Sequence, residues 1–209
     1  MVRGGYMGRI AYVDLTAGKT EIRESSAEDR RRWIGGSGLS AKIFIDECKP
    51  DTDPLSPANP LVFMTGPMTG TSIPGSGRHQ VVAKSPLTGI YGEADAGGKW
   101  GTVLKQAGFD GVVFTGKSAQ AAYAFIHNNR IEILDASFLW GLDNFQVDET
   151  LKQRHGSDIA VASIGPAGEK QVLLSVVLHE GKKARSSGRG GLGAVMGAKQ
   201  LKAIVVKGD

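Results

Sequence analysis

Gly101-Thr102-Val103-Leu104-Lys105-Gln106-Ala107-Gly108-Phe109-Asp110-Gly111-Val112-Val113-Phe114-Thr115-Gly116 returns in altered form as Gly193-Ala194-Val195-Met196-Gly197-Ala198-Lys199-Gln200-Leu201-Lys202-Ala203-Ile204-Val205-Val206-Lys207-Gly208, 92 residues on from Gly101 to Gly193. Phe109 falls on Leu201, Val113 on Val205 and Gly116 on Gly208. Paired glycines, Gly97-Gly98 and Gly190-Gly191, precede the copies. A helix opened by glycines offers unpaired N–H groups and the positive end of its dipole, which favour an anion. Two related copies therefore point to two anion sites about a pseudo-twofold axis.

Working outward, the same order of elements is read in each half. A hairpin comes first, Gly8–Leu15 with Thr20–Ile22 about a turn at 16–19, then Ala122–Ile126 with Ile131–Leu134 about a turn at 127–130. In this alignment Tyr12 matches Tyr123, Glu21 matches Glu132 and Ile22 matches Ile133. A helix follows, capped at Ser26 and interrupted by Gly35-Gly36-Ser37-Gly38 in the first half, and running from Asn144 towards Gly156 in the second. Apolar strands 61–65 and 159–164 run into Gly66-Pro67 and Gly165-Pro166, and further strands are expected at 80–84 and 172–177. The spacing predicts an α+β fold of two similar αβ subdomains from an internal duplication, with mixed sheets, glycine-opened helices and a joint core. The expected domain is 1–209, with repeats at approximately 8–117 and 122–208.

Bulk composition agrees with an ordered fold. The chain has 209 residues, 41% of them hydrophobic, and its 30 glycines, about twice the usual share, cluster at turns. A single cysteine excludes an internal disulfide framework and any all-cysteine metal site within this chain. Cys48, before Pro50, is expected to be buried. Met1–Gly8 has no apolar signal core and no stretch is long enough to span a membrane, so a cytoplasmic protein without a membrane partner is expected. Net charge is +4, and residues 181–208 carry seven Lys or Arg and no acid. That end is either a solvated basic face or a pocket for phosphate. Recognition helices, zinc-finger spacings and ribonucleoprotein aromatics are absent, so no nucleic-acid partner is expected.

The longest irregular stretch, Gly66–Arg78, is rich in Gly, Ser and Thr. Arg78 ends it, placed either for bidentate contact with phosphate or stacking on a heterocycle, or for closing the loop through carbonyls. Glu93-Ala94-Asp95-Ala96-Gly97-Gly98 and Lys183-Ala184-Arg185-Ser186-Ser187-Gly188-Arg189-Gly190-Gly191 are read as matching turns of opposite charge. Asp95 with the arginines could hold a metal between phosphates, or Asp95 could be a helix N-terminal acid. No Walker loop occurs, and Gly188–Gly193 has no acid after it to bind a ribose. His79 and His179, at corresponding strand edges, lack a nucleophile partner, and nothing in the chain reads as a catalytic residue or redox centre.

Gly66-Pro67-Met68-Thr69-Gly70-Thr71, Lys84-Ser85-Pro86-Leu87-Thr88-Gly89, Ala107-Gly108-Phe109-Asp110, Ser163-Ile164-Gly165-Pro166-Ala167-Gly168-Glu169 and Gly188–Lys199 together resemble the N-terminal domain of the tungsten-dependent aldehyde:ferredoxin oxidoreductases. The likeness runs from Gly8 to Gly208. It implies a base on which a tungsten (or molybdenum) bis-pterin rests, with a magnesium ion joining the pterin phosphates. By this resemblance Arg78 lies against the pterins and Asp95, Ala96, Gly97 and Gly98 border one phosphate. Arg185, Ser186, Ser187 and Gly188 border the other, and the backbone carbonyls of Asp95 and Ser186 reach magnesium. The family usually has Asn at Asp95 and Ala-Ala at Ser186-Ser187. The resemblance also implies aldehyde oxidation to the acid with ferredoxin as acceptor, a [4Fe–4S] cluster in further domains or a partner chain, and no competence of this chain alone. Excised domain, truncated gene product and split-enzyme subunit are the readings it leaves, with a non-catalytic binding or scaffold domain as the alternative. A base of this kind is expected to expose an apolar face near Met64, Met68 or Ile73.

Overall fold

The computed structural model describes residues 5–208, so the expected domain limits at Met1 and Asp209, and most of the opening read for a signal core, lie outside the described residues. The first repeat contains β1 (Arg9–Asp14), β2 (Lys19–Glu24), α1 (Ala27–Trp33), α2 (Gly36–Glu47), β3 (Leu61–Thr65), β4 (His79–Lys84), β5 (Tyr91–Ala96), α3 (Trp100–Gln106) and β6 (Gly111–Thr115). The second contains β7 (Ala122–His127), β8 (Arg130–Asp135), α4 (Asn144–His155), β9 (Ala160–Ser163), α5 (Pro166–Glu169), β10 (Val177–His179), β11 (Arg185–Ser187), α6 (Leu192–Ala198) and β12 (Leu201–Lys207).

The strand orders carry the duplication. One six-stranded sheet runs β2-β1-β6-β3-β4-β5 and the other, read from its far end, β8-β7-β12-β9-β10-β11. The strands correspond one to one, and so do their directions: β1–β6 and β7–β12 are the parallel pairs and the rest are antiparallel. Register corrects one match made from sequence. With Val113 on Val205, the partners are Tyr12 and Phe125, so Tyr12 corresponds to Phe125 and not to Tyr123. The reason is the hairpin turn: Asp14 pairs Lys19 across four residues, whereas His127 pairs Arg130 across two. Glu21 and Glu132 remain equivalent, pairing Tyr12 and Phe125.

The layers follow from the alternation of side chains along each strand. Val112 and Phe114 of β6, Ile204 and Val206 of β12, and the buried sides of α3 and α6 share one central cluster drawn from both repeats. Val62, Met64 and Val113 face outwards against Leu39 and Ile43 of α2. Val161, Ala203 and Val205 face outwards against Val147 and Leu151 of α4. The central strands of each sheet are therefore covered on both faces, which is why they read as unbroken apolar runs. Ser26 caps α1 through Asp29 N at 2.9 Å, and Asp143 with Gln146 forms a capping box at α4. Among the described residues no helix is long and apolar enough to cross a membrane.

Two segments differ from the sequence reading. Of the strand expected at 172–177 only Val177 is in the sheet, as the first residue of β10, while Val172, Leu173 and Leu174 are exposed. The chain turns there because Ser175 O accepts from Gly193 N at 3.1 Å, folding residues 172–176 over the opening of α6. Of the stretches 93–98 and 183–191, read as turns, residues 93–96 lie in β5 and residues 185–187 form β11. They pair β4 and β10 through backbone bonds that apolar periodicity does not register.

Candidate functional site

β5 and β11 are the end strands of the two sheets and contact one another. Register makes their site residues equivalent. Gln80 of β4 pairs Asp95, and Leu178 of β10 pairs Ser186; the chain of pairings through β3, β6, β9 and β12 sets Leu178 on Gln80. Asp95 and Ser186 are thus pseudo-symmetry mates, as are Ala96 and Ser187. An end strand leaves backbone groups on its outer side without a ladder partner, so the outer sides of β5 and β11 bring main-chain donors and acceptors to the junction of the repeats.

The glycine loops close in on this junction. A Cβ on Gly77 would sit 2.5 Å from Gly98 O, so the end of loop 66–78 lies on the turn at Gly97-Gly98. Gly190, with φ +71, lies against β5, an ideal Cβ there being 3.6 Å from Gly92 Cα, and Ser85 Oγ donates to Gly190 O at 2.7 Å. Arg78 is exposed at the mouth of a cleft of about 520 Å³ bounded by the Gly35–Gly38 segment, Gly66–Thr69 and Gln80. Gln80 Nε2 donates to Asp95 Oδ1 at 2.8 Å, tying Asp95 to that cleft wall. Arg185, Ser186 and Gly188 are exposed, Ala96 and Ser187 buried, and Gly97 and Gly98 half-buried. Among the described residues neither the Arg78 nor the Arg185 guanidinium has a hydrogen-bond or ion-pair partner. A second cleft of about 530 Å³ beside α4 includes Lys182 and Lys183 of the basic end, and Glu180, but none of the residues expected to bind the cofactor.

The two helix openings are not vacant. Glu180 Oε1 accepts from Lys99 N and, at 3.2 Å, from Trp100 N, so the first helix already holds a carboxylate from the other repeat. The second is covered by Ser175 O and the 172–176 loop. The expectation of two anion sites on these helices is therefore overturned, and free cationic groups lie instead on loop 66–78 and β11. The basic C-terminal end also divides. Lys199 and Lys202 are fully buried. Lys199 Nζ donates to Pro57 O at 3.0 Å and Gly116 O at 3.1 Å, and burial pulls its pKa down to about 7. Lys202 Nζ donates to Leu142 O at 2.8 Å and pairs with Glu169. Both act inside the fold.

His79 and His179 are not symmetry mates, since register sets His179 on Val81. They meet directly, with ring centroids 4.7 Å apart and Trp100 4.8 Å from His79. Both rings are fully buried; burial holds His79 near a pKa of about 3 and His179 well below its ordinary value. His179 Nε2 shares a 3.1 Å hydrogen bond with Ser187 Oγ. The pair pins the repeats together beneath Gly97-Gly98. Met64 is buried against α2, whereas Met68 and Ile73 are exposed. Cys48 is half-buried rather than enclosed. Gln80 and Glu180, missed from sequence, are recognised only through contacts with residues distant in the chain. No group of three or more His, Cys, Asp or Glu able to hold a metal occurs among the described residues.

Comparison with known proteins agrees with this architecture. The family model described as the aldehyde ferredoxin oxidoreductase N-terminal domain matches residues 10–208. The tungsten-containing aldehyde ferredoxin oxidoreductase of Pyrococcus furiosus is 44% identical over 206 residues, covering 98% of this chain and 34% of that protein. The aliphatic sulfonate oxidoreductase, WOR-like subunit, of the same organism is 35% identical over 221 residues, covering 98% and 35%. In the solved BamBC active-site complex of benzoyl coenzyme A reductase with 1,5-dienoyl-CoA, a chain 38% identical superposes with a TM-score of 0.95 over 99% of this chain and 31% of its own. The chain spans about a third of the length of the relatives it matches. Sequence, sheet order and superposition agree: the chain belongs to the aldehyde ferredoxin oxidoreductase N-terminal domain family.

Proposed function

We propose that this chain is the cofactor-base domain of a tungstopterin oxidoreductase that oxidises aldehydes to carboxylic acids and passes the electrons to ferredoxin. The observation that carries the reading is the symmetry equivalence of Asp95 and Ser186 on two touching end strands. A ligand with two like phosphates needs two like sets of main-chain groups, and a duplicated domain supplies them. The residues fit such a group: Arg78 and Arg185 are exposed without partners, and an added Cβ on Gly75 or Gly97 would meet nothing within 4 Å. Arg78 would face the pterins; Ala96, Gly97 and Gly98 would border one phosphate, and Arg185, Ser187 and Gly188 the other. The carbonyls of Asp95 and Ser186 would hold magnesium. When bound, the metal supplies the two-electron chemistry, and these residues hold and orient it.

Relatives whose names specify aldehydes, sulfonates and a coenzyme A thioester share this one third of their length. That supports a role in what they have in common; in this reading the choice of substrate, and an iron–sulfur cluster, belong to the rest of the protein. A cytoplasmic location belongs to the same reading. The likeness to the benzoyl coenzyme A reductase chain favours a second reading, reduction of an aryl coenzyme A thioester on the same base. Metal and pterin analysis of the full-length protein, followed by assay with aldehydes and with aryl coenzyme A thioesters, tests both. Tungsten- and pterin-free protein, purified with its partners, refutes the base reading.

A further inference from the structure

We infer that Glu180 is a positioning residue, which sets the Gly97-Gly98 turn of the first repeat from the second; its role towards the cofactor rests on the function proposed above. Glu180 is 5% exposed and has φ +62, a left-handed conformation that non-glycine residues adopt at a cost. Its pseudo-symmetry mate is Val82, an ordinary residue in the middle of β4. The second repeat therefore leaves its sheet where the first continues. That departure carries the carboxylate across the junction to Lys99 N and Trp100 N, the opening amides of α3. No side chain of the first repeat caps that helix. Gly98 has φ +95, and a Cβ there would collide with the Glu180 carboxylate, so the turn and the glutamate fit only each other.

The charge has a second consequence. A carboxylate at the opening of α3 satisfies its amides and its dipole, and it keeps an outside anion off them. A phosphate at Gly97-Gly98 must then be met by main-chain groups ahead of the helix and by arginine. Lys183 Nζ, 3.5 Å from Glu180 Oε2 and mostly exposed, offsets part of the negative charge.

The test uses the full-length protein with Glu180→Ala, Glu180→Gln and, as a core variant away from the turn, Val147→Ala in α4. Amide exchange at Lys99 and Trp100 is measured with and without formate, and tungsten and pterin are counted per folded molecule. Glu180→Ala should speed exchange roughly 10- to 100-fold, as for lost hydrogen bonds to a charged acceptor. Formate should slow it again by filling the vacated space, with no effect on the parent. Pterin content should fall in Glu180→Ala, hold partly in Glu180→Gln and stay at the parent level in Val147→Ala. Should Glu180→Ala not fold, Glu180→Gln carries the same readouts, with smaller shifts expected. Unchanged exchange at Lys99 and Trp100 overturns the bracing. Equal pterin loss in Val147→Ala overturns the positioning role and leaves general destabilisation. A parent without tungsten and pterin overturns the proposed function and the cofactor half of this inference, while the exchange measurement still decides the bracing.

Discussion

Lowering the pH from 7.5 to 5.0 should destabilise this protein through the buried His79–His179 pair. Both rings are fully buried; neither nitrogen of His79 has a hydrogen-bond partner, nor has His179 Nδ1. Desolvation holds the folded pKa of His79 at about 3, and that of His179 well below its ordinary value, with the neighbouring His79 as a lesser cause. In the unfolded chain each titrates near ~6.5. The unfolded state thus binds more protons below that value, so stability is full above pH ~6.5 and falls as pH drops towards ~3. Between pH 6.5 and 5.0 protonation of His79 costs about 2 kcal/mol, and His179, lowered by the same burial, adds a loss of the same sign. Partly buried His155, also lowered by burial, adds a background common to every variant. The perturbation is His79→Leu, which leaves no polar partner behind. Urea unfolding followed by circular dichroism at both pH values should show the parent losing about 2 kcal/mol more than the variant. The variant should be at least as stable at pH 7.5, since it removes unpaired buried nitrogens. Equal pH losses in the two proteins would refute the reasoning.

Arg78→Ala in the full-length protein should weaken cofactor retention by about 1–3 kcal/mol, as for a charged hydrogen bond, while Lys19→Ala in the exposed hairpin turn should change nothing; pterin content per folded molecule decides. Lys199, depressed to about 7 by burial, should make stability rise by about 1.4 kcal/mol per pH unit between pH ~7 and ~10, because the unfolded lysine stays protonated to about 10.4. Lys199→Met should abolish that alkaline rise in urea titrations. Asp143→Ala should remove the capping box of α4 and cost about 1 kcal/mol in the same measurement.

Much of the fold was legible because the duplication repeats local signals. The Ser26 cap, the hairpins and the apolar runs at 61–65 and 160–163 each announce themselves within a few residues. Arg78 was legible as the end of a long glycine loop. What escaped depends on partners far away in the chain. β5 carries Glu93 and Asp95 on an end strand, and its pairing to β4 outweighs the turn propensity of its composition. Residues 172–174 look like a strand because they are apolar, yet their place is fixed by the opening of α6. Glu180 reads as one more charged residue until the fold brings it to Trp100, 80 positions away.

Register, more than side-chain identity, maintains the proposed site. Asp95 and Ser186 differ in size and charge, as do their symmetry-related neighbours Ala94 and Arg185, yet β4 and β10 hold each pair at the same backbone position. Carbonyl ligation is indifferent to the side chain as long as the strand does not move, so divergence between the repeats is tolerated there. Asp95→Asn should therefore leave metal and pterin content at the parent level, because Asn retains an oxygen for Gln80 Nε2, which donates at 2.8 Å in the parent. Inserting one glycine between Ser186 and Ser187 should abolish cofactor retention, since a one-residue slip turns Ser187, the last residue of β11, to the opposite face and displaces Gly188 after it. Far-UV circular dichroism and pterin release from the two full-length variants make the comparison. Loss of pterin in Asp95→Asn with folding intact would mean that the Asp95 carboxylate itself holds the ligand, and the main-chain account of the site would fail.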